Sequence, residues 1–422
     1  MVESFKEPLG PGAPVGELLL AETAIRIELP PSQHGIAVDR FGAVSKHAER
    51  PESPLHDRVT WFYPQGSMAI RSTIKSHRRD DGFDIDIVAE LRLPSGMSPA
   101  QVLDILFEAI NGPRGSMYHG MVERQTRCVT VRYADGMHLD ITPSELLDER
   151  DPRRSHIFHA KPGEAAALHR RLPMNSWAFC DWFNANTPAD LIFEEAYAKR
   201  ARSHDPMRVL ADADVKPVPG HSSTQAGKSA SVVALQLLKR NRNMRYAKRK
   251  DARLPPSVMM ACFAGHTKTP SASIAGSLDA IASAMLAAME DADRRGFLID
   301  VRNPKCNDDR FTDRWPDNAQ AQRVHIEDLK LFRRQLAAVM SDQLTLEQKR
   351  DLLVAMFGEG PALSAVNDYA AAIGRAVATG NRTVAPSGKV VPIAGIAAPA
   401  VMVPTAAQPR GHTFYGERWR RR

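Results

Sequence analysis

The spacing of apolar side chains divides this chain into a strand-rich front and a helix-rich back. Between residues 83 and 88, Phe83, Ile85, Ile87 and Val88 surround Asp84 and Asp86, the pattern of a buried strand that keeps an acidic face. Cys128 to Tyr133 reads as the first arm of a hairpin, Asp135-Gly136 as its turn and Met137 to Thr142 as the returning arm. Ser98-Pro99 opens a helix whose apolar positions are Leu103, Ile105, Leu106 and Ile110, and Gly112 stops it.

From about residue 165 the strand signals fade. Thr187-Pro188 is the expected start of one helix. Ile274, Leu278, Ile281, Met285 and Met289 recur at helical spacing until Gly296. Ile326, Leu329, Phe332, Leu336 and Val339 repeat the pattern, and a last helix is expected from Pro361 to about Gly380. Ahead of the strands, residues 1 to about 30 are Pro- and Gly-rich and then amphipathic, with a helix expected over 35–50. Residues 382 to 410 show neither helical nor alternating pattern and read as a flexible linker to the aromatic cluster at Phe414 and Tyr415. The expected organisation is an N-terminal segment and helix (1–54), a mixed α/β core (55–165), a helical domain (166–381) and a C-terminal tail (382–422).

Composition adds modest constraints. At 422 residues the chain is long enough for two domains, and 43% hydrophobic and 25% charged residues are ordinary globular values. A net charge of +7 points to an anionic partner such as nucleotides, nucleic acid or a membrane surface. Cys128, Cys180, Cys262 and Cys306 are too scattered for a zinc cluster and suit a reduced cytosol. Leu18-Leu19-Leu20 is too short for a signal-peptide core, and Val390 to Ala407 is broken by Pro392, Pro399 and Pro404. A cytoplasmic protein without a membrane span is expected.

The chemistry concentrates in three places. Gln65-Gly66-Ser67 is a turn suited to phosphate, because Gly66 permits close backbone approach. Asp84 and Asp86 share a strand face, and Asp140 follows 54 residues after Asp86 on the returning hairpin arm. Three converging carboxylates repel one another unless cations lie between them. Hard oxygen ligands favour Mg²⁺, with Mn²⁺ as the alternative. Gly227-Lys228-Ser229 ends like a P-loop, but Ser222 stands where that motif needs glycine. The basic run around Lys239, Arg240, Arg242, Arg245, Lys248, Arg249 and Lys250 reads mainly as a solvated helix face, with nucleic-acid binding as the rival reading.

Tyr63 to Thr73, then Asp84-Ile85-Asp86, then Leu139-Asp140 resemble the polymerase β-type nucleotidyltransferases. More narrowly they resemble the bacterial cGAS/DncV-like nucleotidyltransferases (CD-NTases) of CBASS anti-phage systems. Val233 to Arg240 followed by Pro255-Pro256-Ser257 is similar to that family's lysine-bearing helix and serine. Asn303-Pro304 with Phe311-Thr312-Asp313-Arg314-Trp315 is similar to a further family segment. The resemblance implies a polymerase β-like mixed-sheet core with flanking helices plus a C-terminal helical domain. It also implies a cyclic oligonucleotide synthase using ATP or GTP. In that reading Asp84, Asp86 and Asp140 hold two metal ions and do the catalysis, while Gln65, Gly66, Ser67, Lys239 and Ser257 bind nucleotide. Nucleic acid is not required, and some members are regulated through the C-terminus, by covalent attachment to a target or by docking of a partner protein. An RNA-tailing enzyme, or a non-enzymatic nucleic-acid binder with structural aspartates, are the competing expectations.

Overall fold

The computed structural model describes residues 8–10, 12–75, 83–148, 153–204, 228–249, 251–267, 273–379, 382–384 and 390–392. The chain divides into two compact units, Met1–Ala362 and Leu363–Arg422.

The first unit opens with helices α1 (Val15–Ile27) and α2 (Pro31–Ala48). It continues through β1 (Val59–Pro64), the single turn α3 (Gly66–Ala69), β2 (Asp84–Leu91) and α4 (Pro99–Asn111). Five further strands follow: β3 (Val122–Arg124), β4 (Val129–Arg132), β5 (His138–Leu146), β6 (Ser155–His159) and β7 (Arg170–Met174). All seven strands join one mixed sheet. Its main path runs β1-β2-β5-β4-β3, and β6 and β7 continue from the far end of β5. Among these strands only β2 and β5 are parallel partners, and the expected hairpin forms as β4 and β5.

The two faces of this sheet differ as the alternation requires. Ile85 and Ile87 of β2, Leu139 and Ile141 of β5, and Val129 and Val131 of β4 enter one core with Phe41 and Val44 of α2 and Leu103 and Leu106 of α4. Helix α4 is set by the expected signals: Ser98 and Gln101 form a reciprocal cap, and Gly112 ends the helix at φ +65°. The opposite face carries Asp84, Asp86, Thr130 and Asp140. Its small apolar cluster is Tyr63, Val88 and Met174 beside Trp61 and Trp177.

The remaining helices are α5 (Ser176–Asn186), α6 (Leu191–His204), α7 (Ala230–Tyr246), α8 (Ser257–His266) and α9 (Ile274–Arg294). The short pair β8 (Arg302–Asn303) and β9 (Cys306–Arg310) precedes α10 (Ala319–Met340), α11 (Leu346–Phe357) and α12 (Glu359–Ala378). Helices α7, α8, α9 and α10 pack around α1, α5 and α11, and the predicted stripes Ile274–Met289 and Ile326–Val339 are buried there.

Three expectations need correction. Helix α1 is not amphipathic: eleven of its 13 residues are buried, Glu17 and Glu22 among them. Those carboxylates are tolerated because each is satisfied. Glu17 accepts the N–H groups of Ile274 and Ala275 at the start of α9, and Glu22 takes the guanidinium groups of Arg26 and Arg200. Thr187-Pro188 does not open a helix. Thr187 ends α5 with its hydroxyl on the Phe183 carbonyl, and Asp190 caps α6 by accepting from Ile192 and Phe193. Finally, the expected linker contains an antiparallel pair in the second unit, β10 (Arg382–Val384) with β11 (Val390–Pro392). Thr383, Val384, Val390 and Val391 are β-branched, the composition that favours a strand. Phe414, Tyr415 and the rest of the tail lie outside the described residues.

Candidate active site

Parallel pairing of β2 with β5 brings the acidic residues together. Asp86 stands directly across from Asp140 and Asp84 across from His138, so three carboxylates share one face of two adjacent strands. Antiparallel pairing of β4 then places Thr130 opposite Asp140, and its hydroxyl donates to Asp140 Oδ1. His138 Nδ1 lies 3.4 Å from Asp84 Oδ1. Burial is the main force raising the Asp86 carboxyl to about 7, and repulsion from Asp140 and Asp84 adds to it. Burial likewise raises Asp140, against the bond from Thr130, while Asp84 adds repulsion. The face is acidic, partly desolvated and short of positive charge.

The Gly-Ser turn borders it. Gln65 N–H donates to the Asp86 carbonyl at 2.9 Å, which fixes α3 at the edge of β2. Gly66 has φ +61°, and a Cβ there would lie 2.3 Å from Asp86 Oδ2. Glycine is therefore required by the approach to Asp86 and by the backbone, in addition to any access it gives to phosphate. Ser67 accepts from the Thr73 hydroxyl at 3.1 Å, and its carbonyl accepts the Ser72 N–H at 2.9 Å, so residues 67–73 form a closed loop.

Helix α7 holds that loop from behind. Gln236 donates to the Thr73 carbonyl at 3.0 Å and Lys239 Nζ to the Ser72 carbonyl at 2.8 Å. One turn further on, Arg242 donates to the Pro255 carbonyl at 2.7 Å and to Ser257 Oγ at 2.8 Å. Residues 236, 239 and 242 are three apart and so share a helix face. Burial, with Arg242 adding, lowers the Lys239 ammonium to about 7, and Asp86 and Asp84 pull the other way. Lys239 thus lies within electrostatic reach of the carboxylates. Ser257, at the start of α8, is joined to the site through Arg242, which the sequence placed in the basic run and not in the site. The repeat at 236, 239 and 242 was the available signal.

Only part of the basic run is a solvated face: Lys248 is exposed, and Lys250 lies outside the described residues. Lys239 and Arg240 are buried, with Arg240 donating to the Phe357 carbonyl at 2.8 Å. Arg249 forks onto Asp328 at 2.6 and 2.9 Å. Arg240 and Arg249 are thus spent on a carbonyl and a carboxylate inside the molecule, because α7 lies between α8, α9 and α11 and has little outward surface. Asn303 and Trp315, which bound the Asn303-to-Trp315 segment, have structural places. Buried Asn303 donates to the Asn175 carbonyl and to Asp309 Oδ2, both at 2.9 Å, and Trp315 is buried.

The acidic face fits hard divalent cations by donor type and by placement on one face. Among the described residues no His, Cys, Asp or Glu trio is already gathered into a closed ligand set. Asp84 and Asp140 instead face His138 and Thr130, neither of which was singled out for a role.

A mixed sheet presenting three strand-borne carboxylates beside a Gly-Ser turn, backed by helices, defines a nucleotidyltransferase. Residues 60–143 match the family model described as Cyclic GMP-AMP synthase DncV-like, nucleotidyltransferase domain. The chain is 40% identical over 419 residues to the cyclic dinucleotide synthase CdnG of Bradyrhizobium diazoefficiens, covering 99% of this chain and 96% of that protein. The solved structure of the Bradyrhizobium diazoefficiens CD-NTase CdnG in complex with GTP superposes with a TM-score of 0.73 at 39% identity, over 86% of this chain and 100% of the other. A more distant relative, the c-di-GMP synthase of Roseivirga ehrenbergii, is 22% identical over 94% of this chain and 96% of its own length. The chain belongs to the DncV-like nucleotidyltransferases, the CD-NTases. Among the described residues no helix is long and apolar enough to cross a membrane.

Proposed function

We propose that this enzyme joins nucleoside triphosphates, ATP or GTP, into a cyclic dinucleotide that serves as a second messenger in anti-phage defence. The observation that carries the chemistry is the pairing of Asp86 with Asp140 in parallel register, with Asp84 on the same face. Near full-length similarity to CdnG supports cyclisation, and the family resemblance supports the defence role.

Asp84, Asp86 and Asp140 would hold two Mg²⁺ ions, with Mn²⁺ able to substitute. When bound, they supply Lewis-acid stabilisation of the charge that develops on the phosphoryl oxygens. Ser67, the backbone N–H groups after Gly66, Lys239 and Ser257 bind the β- and γ-phosphates of the donor, and Gln65 fixes the turn that presents them. The acceptor's ribose hydroxyl oxygen forms a bond to the donor α-phosphorus. The bond from that phosphorus to the bridging oxygen breaks and pyrophosphate leaves. Asp140 takes the hydroxyl proton and passes it to solvent. A second transfer within the linear product closes the ring. The internal engagement of Arg240 and Arg249 in the basic run supports synthesis over an RNA-tailing role.

The test is incubation of purified protein with paired nucleoside triphosphates and Mg²⁺, followed by mass spectrometry. The expected result is a phosphatase-resistant cyclic product, absent from the Asp84→Asn/Asp86→Asn variant while its circular dichroism is unchanged. Lengthened RNA, or full activity in that variant, overturns the reading.

A further inference from the structure

The lysine and serine that end the P-loop-like run at 227–229 find other partners in the fold. Ser229 caps α7 by accepting the Val232 N–H at 3.3 Å. Lys228, just ahead of the helix, turns inward. Its ammonium pairs with Glu28, the residue that follows α1, and donates to Gln236 Oε1 at 2.9 Å. Glu28 Oε1 also accepts from the Tyr197 hydroxyl of α6 at 3.0 Å, and the Lys228 ammonium lies 5.8 Å from the centre of that ring. Lys228 is thus held by side chains from α1, α6 and α7.

Gln236 is buried, and its amide meets two groups of fixed polarity. A lysine ammonium only donates and a main-chain carbonyl only accepts. With Lys228 on Oε1, the amide nitrogen faces the Thr73 carbonyl, 3.0 Å away. Thr73 in turn donates its hydroxyl to Ser67 Oγ at 3.1 Å. A serine oxygen that accepts from Thr73 keeps its own proton for a different acceptor. The far end of the same loop is tied to α1: Ile74 bridges to Glu28, and the Lys75 N–H donates to the Ile27 carbonyl at 2.7 Å. Lys228 stands where the ties from α1 and α7 meet.

We propose that Lys228 is a positioning residue for the donor phosphates. By fixing the Gln236 amide it holds Thr73, and through Thr73 it aims the Ser67 proton at the β- and γ-phosphates. The proposal rests on the synthase reading. A lysine that only tied α1 to α7 would stabilise the fold and would affect activity by the same factor whatever residue stood at position 67. A lysine that acts through Ser67 has an effect only while that hydroxyl is present.

The test is donor kinetics in two backgrounds. Lys228→Met keeps the side-chain length and removes the donor to Gln236. It should raise the donor KM about tenfold with little change in kcat, as expected for one hydrogen bond lost at the phosphates. In Ser67→Ala, whose donor KM is already raised, adding Lys228→Met should change KM by less than about twofold. Lys228→Arg, which still donates, should recover most of the wild-type KM. Gln236→Glu keeps an acceptor for Lys228 and loses the donor to Thr73. It should show the same rise in KM and the same silence beside Ser67→Ala, which keeps the test open if Lys228→Met melts below the assay temperature. A loss as large in Ser67→Ala as in wild type, a loss confined to kcat, or no loss overturns the relay and leaves the synthase reading standing. Wild-type protein that forms no product from any nucleoside triphosphate overturns the synthase reading and the relay with it.

Discussion

At the residue scale, the site depends on single contacts made across the sheet. Gly66 is the sharpest case, because a methyl group there meets the Asp86 carboxylate before it meets anything else. Gly66→Ala should cost about 1–2 kcal/mol in backbone strain and, in addition, displace Asp86, lowering product formation by at least tenfold. Gly96 is the control: it has φ +85° with open space around it. Gly96→Ala should show similar strain in a thermal melt while keeping its activity, and equal activity in the two variants would show that the approach to Asp86 is immaterial. Thr130 is a second such residue, a hydroxyl that holds Asp140 in one orientation from the neighbouring strand.

At the element scale, α7 is the part that joins the helices to the sheet. Through Gln236 and Lys239 it carries the carbonyls of Thr73 and Ser72, and through Arg242 it carries the start of α8. Lys239→Ala removes both a charge for the donor phosphates and the partner of the Ser72 carbonyl. It should raise the donor KM in proportion to about 1.5–3 kcal/mol, with a smaller effect on kcat. Asp140→Asn should do the reverse, lowering kcat at nearly constant donor KM. Steady-state kinetics on the two variants separate these roles, and an unchanged donor KM in Lys239→Ala would remove that lysine from the phosphate site.

At the scale of the whole molecule, the helical half is stable only while its interior polar groups stay in the right protonation state. His325 is buried between Trp315 and Tyr246, and burial lowers its pKa to about 4. Among the described residues its ring nitrogens have no hydrogen-bond partner. Arg242 and Arg249 also oppose its protonation, and Asp328 favours it. The unfolded chain protonates this ring near 6.5, so the folded state loses stability as pH falls from about 6.5 toward about 4, on the order of 3 kcal/mol. His34, His47, His156 and His159 are lowered in the same direction. The raised carboxyls of Asp86, Asp140, Glu17 and Asp309 act in the opposite sense, so the histidine contribution is read as a difference: in denaturant melts between pH 7 and pH 4, His325→Phe should lose less midpoint, or gain more, on acidification than the wild type. Identical slopes in the two proteins would show that this ring does not contribute.

The residues that form the site were legible where local rules govern them. Alternation put Asp84 and Asp86 on one face, a turn signal put Asp140 on a returning strand, and Ser98 with Gly112 bounded α4, because strand period and helix capping are properties of a few consecutive residues. Apolar spacing likewise marked the cores of α9 and α10. The tertiary structure decided what local rules cannot contain. Parallel pairing of β2 with β5 set Asp86 against Asp140, which depends on a connection between segments 54 residues apart. Burial turned the basic face of α7 into internal ties and made α1 a buried helix despite its glutamates. Whether a charged side chain faces solvent or a distant carbonyl is settled only when the partner arrives, since the desolvation cost and the bond that offsets it belong to different parts of the chain.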